Sequence, residues 1–482
     1  MYLSLIFLVL LGFGLCILKG IQAYGTSSLG EDAMKNAGEN ILANYDKELF
    51  EQYHLFFLDP REKKYILSDG KNYMNHYFDS CRFYNAVCTA LSLEGENRAV
   101  DKDGLYIKHQ IREIMKYQEK EEVDEKIKTF VPDMIQGKKE VQEDLRESGE
   151  EAGQNARDNT VIEGGSGEDQ KQDGKTQKEQ LRWRDIRETL QLVMKSGILF
   201  YVVDDPEKIS GRTIAGRELP SDLEKVNRKE NGINFSTLFN LKELHSLLSE
   251  ETMFQKDGPL WKEDYCLLSY ADQYFQNYGE EKGKEKVLLY EKEYLLCGKE
   301  TDRENLKKTA EKLLLFRFII NYICASHSPQ IREKADAVAV AAAGFMGVPQ
   351  AVKPAQIIVL STLSFGESLL EIHALLSGKA IPVLKDESTW NLSFETAVAQ
   401  LRNKSEVKTG KWNGTYKDFI KILMLCEGES KGILYRMMDI MQENIALKEP
   451  DFLMGDALFS FRWKGVLSGA GININFSRKF SY

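Results

Sequence analysis

The stretch Tyr2–Leu18, YLSLIFLVLLGFGLCIL, carries no charge, and twelve of its residues are Leu, Ile, Val or Phe. Each such residue favours the bilayer by roughly 0.3 to 0.6 kcal/mol, on the order of 4 to 7 kcal/mol for the run. As a helix it is about 25 Å long, a little short of the ~30 Å hydrocarbon core. The weakly polar Gly20–Tyr24 completes the crossing. Residues 1–24 are therefore read as a transmembrane anchor, with membrane lipid as the partner of Tyr2 to Tyr24.

A cleavable export signal needs a basic leader and small residues before the cut. Nothing basic precedes this run, and Ile21-Gln22-Ala23 puts a β-branched residue where a small one is wanted, which disfavours cleavage. A pilin-type assembly helix needs an acid early in its length, whereas the first acid is Glu31. Lys19 lies beyond the run, so the positive-inside rule leaves the orientation ambiguous, and the true start is expected upstream of Met1. Two later apolar stretches pass as spans only at first sight. Leu313–Cys324 is short and holds Arg317, and Ala355–Leu376 holds Glu367, Glu371 and His373, all costly in lipid. Both read as buried helices, leaving a single-pass protein.

With 482 residues, 43% of them hydrophobic, the chain beyond the anchor is long enough for a folded body. A net charge of −10 without any basic groove excludes a nucleic-acid binder, which must displace counterions from phosphates with clustered Lys and Arg. The seven cysteines have neither regular spacing nor a CxxC, so they support no disulfide framework and no zinc site, and most read as small buried hydrophobes.

Ser28–Tyr53 brings apolar residues round at helical spacing, which continues the anchor into an amphipathic helix. His54–Leu58 reads as a short strand, Tyr73–Tyr84 is aromatic-rich, Val87–Val100 begins with strand-like alternation, and a helix is expected from about Gly104 to Tyr117. Residues 25–117 thus form an N-terminal α+β part of a head. From 118 to 182 aromatics nearly vanish among charges, and such a stretch reads as a disordered linker. Residues 183–450 are mostly helical. Ser221–Glu224 and Thr301–Glu304 fit the capping box, and Ser328-Pro329 a helix start; Gly378 closes the helix ending at Leu376. Small residues over Ala335–Gly344 are expected to pack on the bulky Gln356–Leu376, and helices follow at Tyr416–Cys426 and Gly432–Ala446. Residues 451–482 alternate apolar and polar on both sides of Ser468–Gly471, a β-hairpin. An isolated hairpin is only marginally stable, so it should pair with the N-terminal strands in one mainly antiparallel sheet. The fold class is α+β and helix-rich, with a large helical insertion between the strands.

Three stretches, ANYDKELFEQYHLFFLD, YEKEYLLCGKETDRENL and GESLLEIHALLSGKAIPVLKDESTWNLSF, resemble an uncharacterised family of Gram-positive bacterial membrane proteins found with Tad/Flp pilus assembly genes. The resemblance covers most of the chain apart from the linker. Its members are similar to TadE-type pseudopilins: one N-terminal hydrophobic helix, the remainder outside the cytoplasm, and no established activity. No catalytic residue comes with the resemblance.

Candidate sites each have a plainer reading. The histidines at 54, 76, 109, 245, 327 and 373 form no HxxxH or HExxH pattern. Glu367 and Glu371 lie one helical turn apart, as paired carboxylates would, but an apolar helix also needs a solvated or ion-paired side. His373 is near Ser368 and Ser377, yet neither serine sits in a GxSxG elbow, so a hydrogen-bonded helix histidine is expected. The linker's EGGSG lacks the GK[ST] of a phosphate loop. Five Asn sequons (234, 391, 403, 413, 475) carry no message, and the aromatic group at 73, 77, 78, 83 and 84 reads as core. No catalytic, metal or cofactor residue is assigned. The expected role is a non-enzymatic accessory or minor pseudopilin-like component of a Tad/Flp-type pilus or secretion apparatus, its N-terminus cytoplasmic, its head extracytoplasmic and its partners other membrane proteins of that apparatus. The alternative is an anchored enzyme or ligand-binding receptor.

Overall fold

A computed structural model describes residues 2–59, 63–79, 84, 86–116, 139, 143, 174–215, 218–223, 265–280, 285–346, 352–427, 430–469 and 471–482. In chain order its elements are α1 (Tyr2–Leu42), α2 (Lys47–Tyr53), α3 (Lys63–Asp79), β1 (Val87–Arg98), α4 (Asp101–Met115), α5 (Gly174–Ser196), α6 (Ile198–Val202), α7 (Pro220–Leu223), α8 (Tyr265–Tyr274) and α9 (Glu291–Cys297). There follow α10 (Asp302–His327), α11 (Pro329–Met346), α12 (Val352–Leu376), β2 (Ile381–Pro382), α13 (Ala397–Arg402), β3 (Asn413–Gly414), α14 (Tyr416–Glu427), α15 (Ser430–Ala446), β4 (Leu458–Gly469) and β5 (Ile472–Ser481). The chain divides into two units: residues 1–117, 216–226 and 434–482 form the first, and 118–215 with 227–433 the second.

In the first unit, α1 runs without a break for 41 residues, about 60 Å at the helical rise. Residues 2–21 are exposed, whereas Thr26, Gly30, Ala33, Met34, Ala37, Gly38 and Ile41 are buried. The sheet is antiparallel in the order β1-β4-β5, so strands from the two ends of the chain do share it. Alternation along β4 turns Phe461, Trp463 and Leu467 to the helices, and the rings of Phe461, Trp463 and Phe480 lie 5.3–5.4 Å apart. Glycine costs a helix interior about 1 kcal/mol relative to alanine. Gly38 is there because a Cβ would overlap the Phe480 ring, and Gly30 because one would meet Leu467.

Local details depart from the sequence reading. The amphipathic helix over Ser28–Tyr53 is two helices, because Asp46 starts a new one: its carboxylate accepts the Leu49 N–H at 2.7 Å while its own N–H donates to Phe57 O at 2.8 Å. The strand at His54–Leu58 shrinks to one bridge, Leu58 to Leu458. The aromatic-rich stretch lies largely on α3, which buries Phe78 and leaves Tyr73 exposed. The helix expected from about Gly104 does agree: Lys102, Asp103 and Gly104 all have positive φ, and regular α4 starts just beyond them. Ser221 is no cap. Pro220 opens α7, the Ser221 hydroxyl has no partner among the described residues, and its N–H donates to Asp439 at 2.9 Å; Glu224 lies outside the described residues.

The second unit is helical apart from the two-residue strands β2 and β3, which pair antiparallel. Helix α5 begins at Gly174, inside the stretch read as linker; the rest of that stretch lies outside the described residues, save 139 and 143. Thr301 caps α10 by accepting the Glu304 N–H at 3.1 Å, and Ser328 accepts the Ile331 N–H at 3.3 Å as α11 starts. Gly378, with φ 82°, ends α12 in paired bonds from its own N–H to Leu375 O and from Lys379 N–H to Ala374 O. Helices α10, α11 and α12 pack on one another, the small face of α11 against α12 as expected. Both apolar stretches that failed as spans are buried here: Phe316, Phe318, Leu363 and Leu369 are core residues.

Candidate functional site

The second unit is built around buried charges. Glu367 and Glu371 do lie on one face of α12, and both side chains are fully buried. Arg317 of α10 meets Glu371 through two parallel bonds of 2.8 Å, and its remaining nitrogen donates to the carbonyls of Pro382 and Val383 at 2.9 and 3.2 Å. The Lys385 ammonium bridges Glu367 and Glu371 at 2.6 and 2.7 Å and reaches Thr389 O at 2.8 Å. Asn321 links Ser368, at 2.9 Å, to Glu371, at 2.7 Å. Glu367 then accepts the N–H groups of Asn391 and Leu392, at 2.9 and 2.7 Å. The paired carboxylates thus tie the segment from β2 to Leu392 onto the helices. Burial alone would raise the Glu371 pKa, but Arg317 and Lys385 outweigh it and hold it at about 2. Burial opposes the Lys385 charge as well, and the two glutamates overcome it and raise its pKa. A carboxylate this heavily bonded is a weak base.

His373 and Ser377 meet Asp204 at the end of α12. His373 Nε2 lies 2.8 Å from one Asp204 oxygen and the Ser377 hydroxyl donates to the other at 3.0 Å. A nucleophilic triad needs the imidazole between acid and hydroxyl, one ring nitrogen for each. Here the same nitrogen faces both, with Ser377 3.5 Å away and its proton directed to the acid. Hydrogen bonding by His373 holds the Asp204 carboxyl below the usual range. Ser368 is elsewhere, in the Asn321 network.

A third group centres on α9. Glu293 is buried; its Oε1 accepts from the Tyr278 N–H at 2.8 Å and the Tyr416 hydroxyl at 2.9 Å, while its Oε2 has no partner among the described residues. Burial pushes its pKa up to about 7. Next to it, Lys292 pairs with Asp272 at 2.9 Å and bonds Asn277 at 3.2 Å. In the stretch EKEYLLC, Glu291 and Glu293 are two positions apart, a spacing that puts them on no shared helix face, so nothing in the pattern marked Glu293.

In the first unit, carboxylate oxygens of Asp46, Asp59 and Glu449 come within 4.8 Å of one another, an arrangement of oxygen donors of the type hard cations take. Nothing in the sequence marks them, since Glu449 lies at the other end of the chain from the two aspartates. Each has other partners, Asp46 being the cap of α2. The remaining candidates are scattered. His54 follows α2 with φ 57°, His76 and His109 lie on α3 and α4, His327 bonds Ile323 O at 2.8 Å, and His245 is outside the described residues, as is EGGSG. Among the described cysteines Cys88 and Cys426 are buried, Cys16 is exposed and none forms a disulfide; burial pushes the Cys324 thiol up to about 12.

The helix α1 is the other feature on which function can rest. It is long and apolar enough to cross a membrane, a test that signal sequences also pass. The model of a family of unknown function, DUF5702, matches residues 175–469. No curated protein matches the chain, and no solved structure does.

Proposed function

The chain belongs to that family of unknown function, whose model covers more than half of it, and we propose that it is a membrane-anchored, non-enzymatic component of a Tad/Flp-type pilus or secretion apparatus. The observation that carries this reading is the single uninterrupted helix α1, bare over residues 2–21, uncharged over Tyr2–Leu18, and packed over Thr26–Ile41 against the antiparallel sheet and α3. A flexible tether would let a head drift. A continuous helix wedged by Gly30 and Gly38 against Leu467 and Phe480 instead transmits the anchor's position and tilt directly to the folded unit, as a subunit that assembles by its helix requires. Tyr2 and Tyr24 are 87% and 80% exposed and about 33 Å apart along the helix, the separation of the two aromatic belts of a bilayer.

On this reading the N-terminus is cytoplasmic and the head lies outside, where other membrane proteins of the apparatus meet it. The protein then stays in the membrane fraction, and its head is digested by protease added to intact, wall-stripped cells while cytoplasmic markers survive. A head that survives with those markers reverses the orientation. Crosslinking in native membranes followed by pull-down should recover Tad components; recovery of none removes the assembly role.

A further inference from the structure

The first unit has one end almost free of charge, and it is the end where α1 emerges. A Cβ built on Gly469, at the tip of the β4–β5 hairpin, would lie 3.2 Å from Thr26, two residues after Tyr24 on α1. Three sets of described residues converge at this level: Gly20–Gly30 of α1, Ala86–Leu93 leading into and along β1, and Gly465–Gly469 with Gly471–Ser477 on either side of the hairpin tip, none with a charged residue. The strand register puts Val87, Ser468 and Asn473 in one row, with Ile472 beyond it opposite Gly469. Along the strands, charge begins at the same height: Lys464 in the row of Ser92 and Ser477, then Arg462 and Lys479 in the row of Glu94. From Gly469 to Lys464 is about 17 Å at the strand rise. Val87 is 49% exposed and Ile472 41%, so both apolar side chains are open at this end. Among the described residues, charges flank this end: Lys19 and Glu31 bound the charge-free stretch of α1, and on α3 Asp79 is the last residue and the Lys71 ammonium donates to Thr89 O at 3.2 Å. A lysine at that height is suited to lipid phosphate.

We propose that this end of the first unit lies in the headgroup layer of the bilayer that α1 crosses, with Val87 and Ile472 immersed and the charged rows in water. The inference rests on the reading of α1 as a span and adds a second, lateral contact with lipid. The occupant is the bilayer surface because the charge-free zone is continuous with the span: a helix that leaves the membrane at Tyr24 sets Thr26, and so the hairpin tip, about 3 Å above it. Immersion stops at the headgroups, since the outer edge of β5 has no strand partner among the described residues and bare backbone groups are costly in hydrocarbon. With few cations among the described residues at this end, the contact is to neutral or zwitterionic lipid.

The test uses the full chain in phosphatidylcholine vesicles, with an environment-sensitive fluorescent amino acid placed at 472, 87, 479 or 10 in turn and bromine-bearing lipid as quencher. The labelled positions at 472 and 87 are exposed, so neither disturbs the core. Quenching is expected to be strong at 10, to remove about half the emission at 472 and 87, as an immersion of ~5–10 Å implies, and to be negligible at 479. Strong quenching at 10 with 472 and 87 as unaffected as 479 overturns the surface contact and leaves the span intact. Equal quenching at 479 overturns it too, and no quenching at 10 removes the span and this inference together.

Discussion

The two units solve the problem of a stable interior in opposite ways. In the first, the centre is an apolar seam: Phe461, Trp463 and Phe480 cluster above Ala33, Ala37 and Gly38, and the fit depends on how closely backbone approaches ring. In the second, α10 and α12 meet through Arg317, Glu371, Lys385 and Glu367, none of whose side chains reaches solvent. Apolar packing is non-directional and tolerates repacking, whereas a buried ion pair holds one arrangement and penalises every other. The second unit is therefore the more sharply specified of the two, and the more vulnerable to a single change.

The largest expected effect is at Glu371. Glu371→Gln leaves Arg317 and Lys385 facing a neutral amide where no water reaches, and loss of one partner of such a pair costs about 3–5 kcal/mol. Denaturant unfolding of the full chain in detergent, followed by amide exchange along α10 and α12, measures it. Removing Arg317 and Glu371 together, as Arg317→Met with Glu371→Leu, should cost less than the single change. A single-variant loss below ~1 kcal/mol would erase the contrast between the units.

Next comes pH. Glu293 titrates near 7 in the folded protein, above its ordinary 4.5, so folding favours its protonated form. Stability from this group is full below 4.5 and declines as pH rises through 7, by about 3 kcal/mol in all. Glu371 has the opposite sign: its pKa near 2 means that its contribution is present above 4.5 and lost toward pH 2. Glu293→Gln should flatten the slope of the second unit's stability between pH 5 and 8, and an unchanged slope would assign it to another group. The first unit has its own acid raised by burial, Glu443, so any slope it shows should be unaffected by Glu293→Gln.

What could be read from residues alone follows the same division. Period and turn chemistry in β4 and β5 declared the hairpin, and the need of a hairpin for neighbours placed its partner in the first hundred residues, where β1 lies. Thr301, Ser328 and Gly378 act locally, within four residues, and their roles were legible for that reason. Ser221 obeyed the same pattern and failed, because Asp439, more than two hundred residues away, takes its N–H. The ionic network was half legible: spacing put Glu367 and Glu371 on one face, but their partners Arg317 and Lys385 come from other segments, and only the fold brings them in. Asp204 beside His373 and Asp59 beside Asp46 are of the same kind.

A smaller effect is expected in the apolar seam. Gly38→Val forces the Phe480 ring aside, and overpacking of this sort costs about 1–3 kcal/mol. Exchange protection along β4 and β5 should fall while that of α10 stays unchanged. A loss carried equally by both units would mean that they unfold as one.

The smallest effect is expected at Ser377. Its hydroxyl bonds Asp204, whose side chain is 66% exposed, so water replaces the bond as soon as it is removed. Ser377→Ala should change stability by no more than ~0.5 kcal/mol, the scale of surface polar pairs. The same substitution distinguishes the two roles this cluster can have. As a surface latch it leaves the second unit's unfolding midpoint in place, within error. A shift of the size seen for Glu371→Gln would instead mean that Asp204 and His373 hold the end of α12 as tightly as the buried network holds its centre, and the contrast between wet and dry charges within the second unit would be lost.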